Sequence, residues 1–175
     1  MSIKAYKVAR VSLALLALAG AGSLAACSTT GTGAMPVASS AFNRADFEWS
    51  SAAGQGGING VVASAQDGVA FSCVASAGLT PATRFTDARM RTLYGATNRA
   101  VLPADVVRAR TVSDPHEDYR EFVRSTACED NRFTFTGLPD GRYYLIVPVR
   151  AGDAPVHVLM QQVQIRGGRT VNLSL

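Results

Sequence analysis

The chain has 175 residues, of which 17 are basic and 13 acidic, and a formal net charge of +4. Lys4, Lys7 and Arg10 lie near the N-terminus, and the rest of the chain balances 14 arginines against 13 acids. This near-neutral remainder argues against a nucleic-acid binder, which needs a basic face to displace counterions from phosphates. The 47% hydrophobic and 17% charged residues of the whole chain exclude global disorder, and its length indicates one ordinary domain.

Residues 1–26 have the layout of a secretory signal peptide, with a basic start, an apolar run at residues 11–19 and small residues after it. The apolar run is shorter than the roughly 20 residues that a transmembrane helix needs. The letters LAAC, which end at Cys27, resemble the lipobox of bacterial lipoprotein precursors. That resemblance implies cleavage before Cys27, acylation of its thiol and amino group, and sorting to the outer membrane because Ser28 follows. A plain signal peptide with a chance cysteine is the alternative.

Residues 27–56 are rich in serine, threonine, alanine and glycine, a composition that buries little surface and predicts a flexible tether. Phe42, Phe47 and Trp49 interrupt this segment and are too apolar for a pure linker. Two interpretations of these aromatic residues stay open. They pack onto the edge of the following domain, or they contact a partner or the bilayer surface, where tryptophan is favoured.

A two-residue period begins at Ile58, which predicts an all-β domain over residues 57–175. The alternating runs lie at residues 69–75, 122–128, 133–135 and 143–149. A turn at residues 129–131 joins the second and third runs as a predicted hairpin, and the letters GLPDG at residues 137–141 are typical of a tight turn. Short strands separated by regular turns predict an antiparallel β-sandwich of about seven strands.

The central insert, residues 80–115, has a weaker pattern than its flanks. Residues 87–93 predict one or two turns of helix, with Thr86 as the N-cap and Gly95 as the terminator. Residues 105–112 are predicted to form a further strand.

Three stretches form a set: GINGVV at residues 57–62, NRFTFTGLPDGRYYL at residues 131–145, and the segment 163–173. They resemble the opening strand, the signature F-x-F-x-G-L-P-x-G-x-Y-x-L and the final hairpin of carboxypeptidase regulatory-like domains, which are prealbumin-like β-sandwiches. The resemblance implies an accessory role without catalytic residues, because such domains lie beside catalytic domains or at the start of outer-membrane receptors. Some relatives of this family bind sugars. The insert between Cys73 and Cys128 is longer than in the simplest pattern.

Two cysteines, Cys73 and Cys128, remain when Cys27 is assigned to lipid. An unassigned pair in an exported chain predicts a disulfide, which would stabilise the fold by ~4 kcal/mol in the chain-entropy model. Two buried free thiols are the alternative. The pair lacks the close spacing of zinc ligands, so we predict no metal there.

The sequence has few catalytic signatures, with no G-x-S-x-G, H-E-x-x-H or P-loop motif. One candidate cluster is His116, Glu117 and Asp118, whose side chains suit a divalent metal or acid–base chemistry. Consecutive residues on an extended chain point to opposite sides, and Pro115 favours a loop. We therefore expect a solvated loop at this position.

Arginines are concentrated in the central insert, where Arg84, Arg89 and Arg91 are the candidate binding residues. Guanidinium groups bind phosphate or carboxylate through two parallel hydrogen bonds, so these residues would suit lipid headgroups or an acidic partner. The favoured interpretation is a dispersed, solvated face, because the chain after residue 10 uses arginine throughout and contains no lysine.

From these patterns we predict a lipid-anchored, non-catalytic binding module of the cell envelope, with no cofactor. It would contact an envelope protein or a glycan, held by its acyl chains at the outer membrane and facing the periplasm or the surface. One alternative is a carbohydrate-binding module, which predicts that exposed rings such as Tyr119, Tyr144 or Trp49 form a flat platform. The other alternative is a small metal-dependent hydrolase that uses the His116 loop.

Overall fold

The structure, a computed structural model, describes residues 40–110, 112 and 117–175. The strands of this part are β1 (Gly56–Val61), β2 (Ala65–Gln66), β3 (Val69–Cys73), β4 (Ala77–Pro81), β5 (Arg99–Pro103), β6 (Arg124–Thr126), β7 (Arg132–Leu138), β8 (Gly141–Ala151), β9 (His157–Ile165) and β10 (Thr170–Ser174). The α-helices are α1 (Arg84–Tyr94) and α2 (Ala104–Ala109). Short 3₁₀ helices cover Arg44–Asp46, Glu48–Ser51 and Glu117–Phe122.

The strands form two sheets. In the smaller sheet, β1 lies at the centre and pairs parallel to β10 and antiparallel to β7. In the larger sheet, β8 pairs along its length with β9, and its other edge pairs first with β4 and then with β3. The outer strands β6, β2 and β5 extend this sheet from β4, β3 and β9. The predicted all-β sandwich is confirmed, and these outer strands bring the described strands to ten where about seven were expected.

Apolar side chains at alternate strand positions fill the space between the sheets. On β8, Tyr143, Leu145, Val147 and Val149 face inward, and none is more than 2% exposed. They belong to one continuous cluster with Ile58 of β1. Burial of each large side chain of this kind contributes about 1.5–3 kcal/mol, so this interior is the main source of stability. The alternation predicted for this strand is confirmed.

The opposite face of the larger sheet is covered by the two α-helices. Met90 and Tyr94 of α1 and Ala104 of α2 pack with Tyr144 of β8 and Met160 of β9. The central insert therefore builds a second, smaller apolar cluster outside the sandwich.

Helix α1 is longer than the one or two turns predicted for residues 87–93. The Thr83 side chain accepts a hydrogen bond from the Thr86 N–H, and the Thr86 hydroxyl accepts one from the Thr83 N–H. This capping box makes Thr83 the N-cap, so the predicted N-cap, Thr86, lies three residues inside the true boundary. Gly95 ends the helix as predicted, with a φ of 73° that glycine adopts without steric cost.

The strand predicted for residues 105–112 is wrong, because this region contains helix α2. Ala104 and Val107, which are one helical turn apart, pack in the outer apolar cluster, whereas Val106 is 38% exposed. Tertiary packing at a three-residue spacing overrides the β preference of adjacent valines.

The hairpin predicted across residues 129–131 is reduced to its turn, which is closed by a single antiparallel bridge between Glu129 and Arg132. Asp130 and Asn131 form it with positive φ angles of 48° and 62°. Strand β6 pairs with β4 and not with β7. Phe122 lies in a 3₁₀ helix, buried against Phe47, so the chain before the turn follows that aromatic contact and the edge of β4.

The chain before β1 packs onto the domain over residues 40–51, a segment that we call the arm. Phe47 is fully buried, with its ring centroid 5.1 to 6.2 Å from those of Phe42, Phe85 and Phe122. Of the two interpretations of the aromatic residues, packing onto the domain is confirmed. The arm belongs to the compact unit and is not part of a flexible tether, because burial of its rings offsets the entropy of ordering it.

Two further contacts hold the arm. The Arg124 guanidinium donates to the Ser50 carbonyl at 3.1 Å, and the Trp49 ring lies 5.2 Å from the Tyr143 ring. The predicted signal peptide, Cys27 and the first part of the predicted tether lie outside the described residues. Within the described residues, no helix has the length and apolar character to cross a membrane.

Cys73, at the end of β3, forms a disulfide with Cys128, and their Cα atoms are 6.0 Å apart. The predicted bridge is confirmed. The Asn131 side chain holds the same corner, because it accepts from the Cys73 N–H at 2.9 Å and donates to the Phe71 carbonyl at 3.0 Å. The bridge spans a sequence separation of 55 and ties both ends of the insert to the sandwich.

Candidate ligand-binding site

A cleft of about 300 Å³, which we call the outer cleft, lies between α1, the 3₁₀ helix Glu117–Phe122 and the outer face of the larger sheet. Its lining combines apolar and polar side chains. The lining residues are Ser76, Gly78, Thr80, Thr86, Arg89, Met90, Leu93, Tyr119, Val123 and Ile146.

Outward-facing residues at alternate positions of β4 and β8 form the floor of the outer cleft. Leu79 of β4 and Leu145 of β8 point into the sandwich, so their neighbours Gly78, Thr80 and Ile146 face outward. A Cβ atom at Gly78 would meet the Ile146 carbonyl oxygen at 3.8 Å, an ordinary contact. The absence of a side chain at Gly78 therefore leaves room that a ligand can use.

Helix α1 forms one wall of the outer cleft. Thr86, Arg89, Met90 and Leu93 recur at helical spacing and therefore share one face of the helix. The Thr86 hydroxyl donates to the Pro81 carbonyl at 2.7 Å, so its hydrogen-bonding capacity is already used within the fold.

Thr80 places a buried hydroxyl in the lining of the outer cleft. The residue is 5% exposed, and its Oγ1 has no hydrogen-bond partner among the described residues. Leaving a buried hydroxyl unpaired costs about 1–3 kcal/mol. A polar group that reached this hydroxyl would recover that cost.

Arg89 lies against an aromatic ring in the same cleft. Its guanidinium carbon is 4.9 Å from the Tyr119 ring centroid, a cation–π distance. The Tyr119 ring packs on Phe85 at 5.5 Å, and Phe85 contacts Phe42 and Phe47 of the arm. Aromatic packing thus connects the arm to the ring that supports Arg89.

A second groove, of about 360 Å³, lies at the start of α1. Its charged lining residues are Asp46, Arg84, Asp87 and Arg142. Beside it, the Tyr144 hydroxyl donates to Asp87 Oδ1 at 2.5 Å and accepts from Gln162 Nε2 at 3.2 Å. Burial and the hydrogen bond to Asp87 raise the pKa of Tyr144 above its usual value, so this phenol stays neutral.

The structure does not bring the three candidate arginines together. Arg89 lines the outer cleft, Arg84 lines the second groove, and Arg91 is exposed on α1. A single arginine-rich surface is therefore not formed by these residues.

The candidate cluster at residues 116–118 is described in part. His116 lies outside the described residues, as does the side chain of Glu117, and Asp118 is exposed. In the described part of the chain, no three potential metal ligands come together. The solvated loop expected at this cluster stays a prediction, with the metal or acid–base site as its alternative.

The flat aromatic platform of the carbohydrate-module alternative is not formed. Tyr144 is fully buried under α1, Trp49 packs against Tyr143, and Tyr119 lines the outer cleft. The three candidate rings are scattered because they belong to a strand, the arm and a 3₁₀ helix.

Sequence reasoning missed Gly78 and Thr80. The available signal was the alternation along β4, where small or polar residues separate the buried Ala77 and Leu79. Outward positions of a strand are normally solvated, so this pattern by itself predicts only an exposed face. Helix α1, packed across the sheet, converts that face into a cleft.

Comparison with known proteins yields a likeness of fold. No protein-family model matches the chain, and no curated protein sequence matches it. The chain is similar to the crystal structure of a protein from Pseudomonas aeruginosa that has been proposed to bind carbohydrate. The TM-score is 0.54 at 21% sequence identity, over 77% of this chain and 97% of the other. The two proteins therefore share a β-rich fold across nearly the whole of the Pseudomonas chain.

Proposed function

We propose that this protein is an exported, lipid-anchored binding module of the cell envelope, which holds a glycan in the outer cleft and catalyses no reaction. The observation that carries the proposal is the Thr80 hydroxyl, unpartnered among the described residues, in a cleft that also presents Met90 and Ile146. A sugar ring offers hydroxyl groups and apolar C–H surface together, so it matches both kinds of lining.

The dimensions of the outer cleft favour one sugar unit. Its volume of about 300 Å³ is at the lower end of small-molecule sites, so a longer glycan would extend beyond its mouth. The Pseudomonas protein of similar fold has itself been proposed to bind carbohydrate, which supports this class of ligand. The resemblance of residues 131–145 to carboxypeptidase regulatory-like domains supports an accessory role. Some relatives of that family bind sugars, which supports a glycan as the ligand.

The chemistry of the described lining supports binding in preference to catalysis. It supplies hydroxyls from Ser76 and Thr80, the Arg89 guanidinium and the Tyr119 phenol. These groups donate and accept hydrogen bonds, whereas general acid–base catalysis most often uses imidazole or carboxylate. A non-catalytic role is therefore the simplest reading of the cleft.

The N-terminal sequence supports the anchor. Residues 1–26 have the layout of a signal peptide, and the lipobox resemblance implies acylation of Cys27. The Cys73–Cys128 disulfide is typical of an oxidising compartment, which agrees with export. Because Ser28 follows the cysteine, we propose the outer membrane as the destination, with the domain facing the periplasm or the surface.

Membrane fractionation tests the anchor. The variant Cys27→Ser should move from the membrane fraction to the soluble exported fraction, whereas Cys73→Ser with Cys128→Ser should stay with the membrane. Unchanged membrane partition of the Cys27→Ser protein would overturn the anchor.

Filling the outer cleft tests the glycan site. In Gly78→Leu the new side chain has room in the cleft, so the protein should fold while its affinity for oligosaccharides falls at least tenfold. The matched control is Ser174→Leu, which places the same side chain on an exposed position of β10. Titration of the wild type and both variants against a panel of envelope oligosaccharides, followed by amide NMR, supplies the measurement. Binding that survives in Gly78→Leu, or the absence of binding in the wild type, would overturn the proposal.

A further inference from the structure

We propose that the free edge of strand β10 binds an extended segment of a partner protein, which joins the smaller sheet as a fourth strand. The segment alternates apolar and polar residues and carries an acidic side chain. This surface belongs to the smaller sheet and shares no residue with the outer cleft, so the inference goes beyond the proposed glycan site and does not depend on it.

The backbone of β10 offers hydrogen bonds on the side away from β1. Among the described residues, β10 pairs with β1 alone. At its two ends, the Arg169 carbonyl accepts from the Gly57 N–H at 3.4 Å, and the Leu175 N–H donates to the Val61 carbonyl at 2.9 Å. Alternate residues of a parallel strand bond to the same neighbour, so the odd-numbered positions of β10 face β1. The backbone groups that point to the other side, which we call the open edge, are those of Thr170, Asn172 and Ser174.

The two outer strands of the smaller sheet differ in how their free edges are protected. On β7, the Arg124 guanidinium donates to the carbonyls of Thr136 and Gly137 at 3.4 and 3.3 Å, so a charged side chain covers part of that edge. The sequence of β10, TVNLS, contains no charged residue, proline or glycine, and its register with β1 is continuous. Charged side chains, proline and bulges are the features by which proteins protect an edge strand from pairing. Strand β10, which lacks them, is suited to the addition of a strand.

The larger sheet extends beyond β10 and provides a surface for the added strand. Strand β10 contacts β9, and β5 follows β9 as the last strand on that side of the larger sheet. Val101 of β5 pairs with Leu159, whose side chain is buried in the interior, so both side chains point towards the smaller sheet. Val101 is nevertheless 45% exposed, because no described strand of the smaller sheet covers β5. We call this uncovered surface, formed by Arg99 and Val101, the shelf.

The shelf determines the chemistry of the segment that fits. Arg99 and Val101 are two residues apart, so their side chains share one face of β5. Arg99 is exposed, and its guanidinium forms no ion pair within the described residues. An added strand with an apolar side chain over Val101 and a carboxylate beside Arg99 would bury the first and pair the second. Its alternate side chains would point outward beside Asn172 and would be polar.

The space opposite β5 fits a single strand and not a second copy of the chain. The smaller sheet ends one strand before the larger sheet on this side, so one added strand fills the missing position. A second copy paired through its own β10 would bring its own β9 beneath that strand, into the space that β5 occupies. The occupant is therefore an extended tail or loop of another protein, without a second sheet attached behind it.

A peptide library tests the open edge. Random peptides of about ten residues, long enough for one strand, are displayed on phage and selected against residues 28–175, which contain the whole compact unit. We expect the selected peptides to alternate apolar and polar residues and to carry an acidic residue two positions from an apolar one. A synthetic copy of a selected peptide should shift the amide NMR signals of Thr170, Asn172 and Ser174.

Matched variants separate backbone pairing from side-chain contacts. Asn172→Pro removes an N–H of the open edge, so peptide affinity should fall about tenfold or more, whereas Asn172→Ala keeps that N–H and should bind as the wild type does. Both variants lose the same side-chain hydrogen bond, which Asn172 accepts from Asn59. Arg99→Glu should change the preferred charge of the peptides from acidic to basic, and Arg132→Glu, at an exposed position of β7, should not.

A change in the peptide supplies the same test with the protein unaltered. Methylation of alternate backbone nitrogens of a selected peptide removes its N–H groups and should abolish binding, even if Asn172→Pro fails to fold. Binding that survives this methylation, or a library that yields no peptide, would overturn the inference. An unchanged charge preference in Arg99→Glu would overturn the partner chemistry assigned to the shelf. A wild-type dimer in light scattering that becomes monomeric in Asn172→Pro would overturn the single strand in favour of a second copy.

Discussion

The two faces of the larger sheet are formed by alternate residues of the same strands, but they bury different side chains. The inner face is predominantly apolar, with Leu145 and Val147 fully buried between the sheets. The outer face carries Thr80 and Tyr144, which are both buried. Buried polar groups cost free energy unless they are paired, so the inner face stabilises the fold, whereas the outer face includes the Thr80 hydroxyl, which has no partner among the described residues. Alternate residues of one strand thus enter two different environments.

The largest expected effect concerns the disulfide, which locks the sandwich to the insert that carries the outer face. Replacing Cys73 and Cys128 together by alanine should lower the free energy of unfolding by about 4 kcal/mol, because the unfolded chain loses a loop constraint. Urea unfolding monitored by circular dichroism measures this. A reductant should destabilise the wild type to the same extent and leave the double variant unchanged. Coincident unfolding curves for the wild type and the double variant would contradict the role assigned to the bridge.

The second-largest expected effect is a difference in the loss of stability between alanine substitutions at two neighbouring residues of β8. Leu145→Ala opens a cavity between the sheets and should cost about 3 kcal/mol, whereas Ile146→Ala should cost about 1 kcal/mol because that side chain already borders the outer cleft. Urea midpoints of the two single variants supply the measurement. Equal losses would break the contrast between the two faces.

A smaller effect separates two threonines that line the outer cleft, Thr86 of α1 and Thr80 of β4. Thr86→Val should cost about 2 kcal/mol, because the hydroxyl donates to Pro81 and accepts from Thr83 in the capping box. Thr80→Val should leave stability unchanged or raise it by up to about 1 kcal/mol, because it removes a buried hydroxyl that lacks a partner among the described residues. Thermal unfolding of both variants tests this. A large loss in Thr80→Val would mean that its hydroxyl is satisfied inside the fold.

The smallest effect is a pH dependence at consecutive tyrosines that occupy opposite faces. Burial raises the pKa of Tyr143 to about 12 and raises that of Tyr144 as well. Because the folded pKa of Tyr143 exceeds its usual value of 10.0, the stability that its neutral phenol contributes is fully present below pH 10 and is lost as the pH rises towards 12. Ionisation of Tyr143 in the unfolded chain should cost about 1 kcal/mol of stability at pH 11.

The variant Tyr143→Phe isolates that pH dependence. It removes the ionisable group and also the hydrogen bond to the Pro139 carbonyl, so its stability is lower at every pH. The informative quantity is the difference in the free energy of unfolding between pH 9 and pH 11, which should be smaller in the variant than in the wild type. An unchanged difference would show that another group controls the alkaline loss.

The candidate site lay beyond sequence reasoning because its residues are distant in the chain and ordinary in type. Arg89 was one of three candidate arginines, and nothing in the sequence separated it from Arg84 and Arg91. Its distinction is contact with Tyr119 across the cleft. Tyr119 was a candidate as part of a ring platform, but it acts as the ring against which Arg89 lies. Convergence of side chains depends on how α1 and the 3₁₀ helix pack on the sheet, which no local pattern encodes.

The sequence alone determined the strands whose alternation is strong, the turns at residues 129–131 and 137–141, the end of α1 at Gly95, and the Cys73–Cys128 pair. Local properties are sufficient for these features. The alternation of side chains along a strand and the conformational freedom of glycine act within short segments, and each of the two cysteines has the other as its one unassigned partner in the sequence. The tertiary structure decided the pairing of β6, the helical state of α2, the docking of the arm and the formation of the outer cleft. Each of these depends on burial against a distant surface, whose gain in free energy exceeds the weak local preference of the segment.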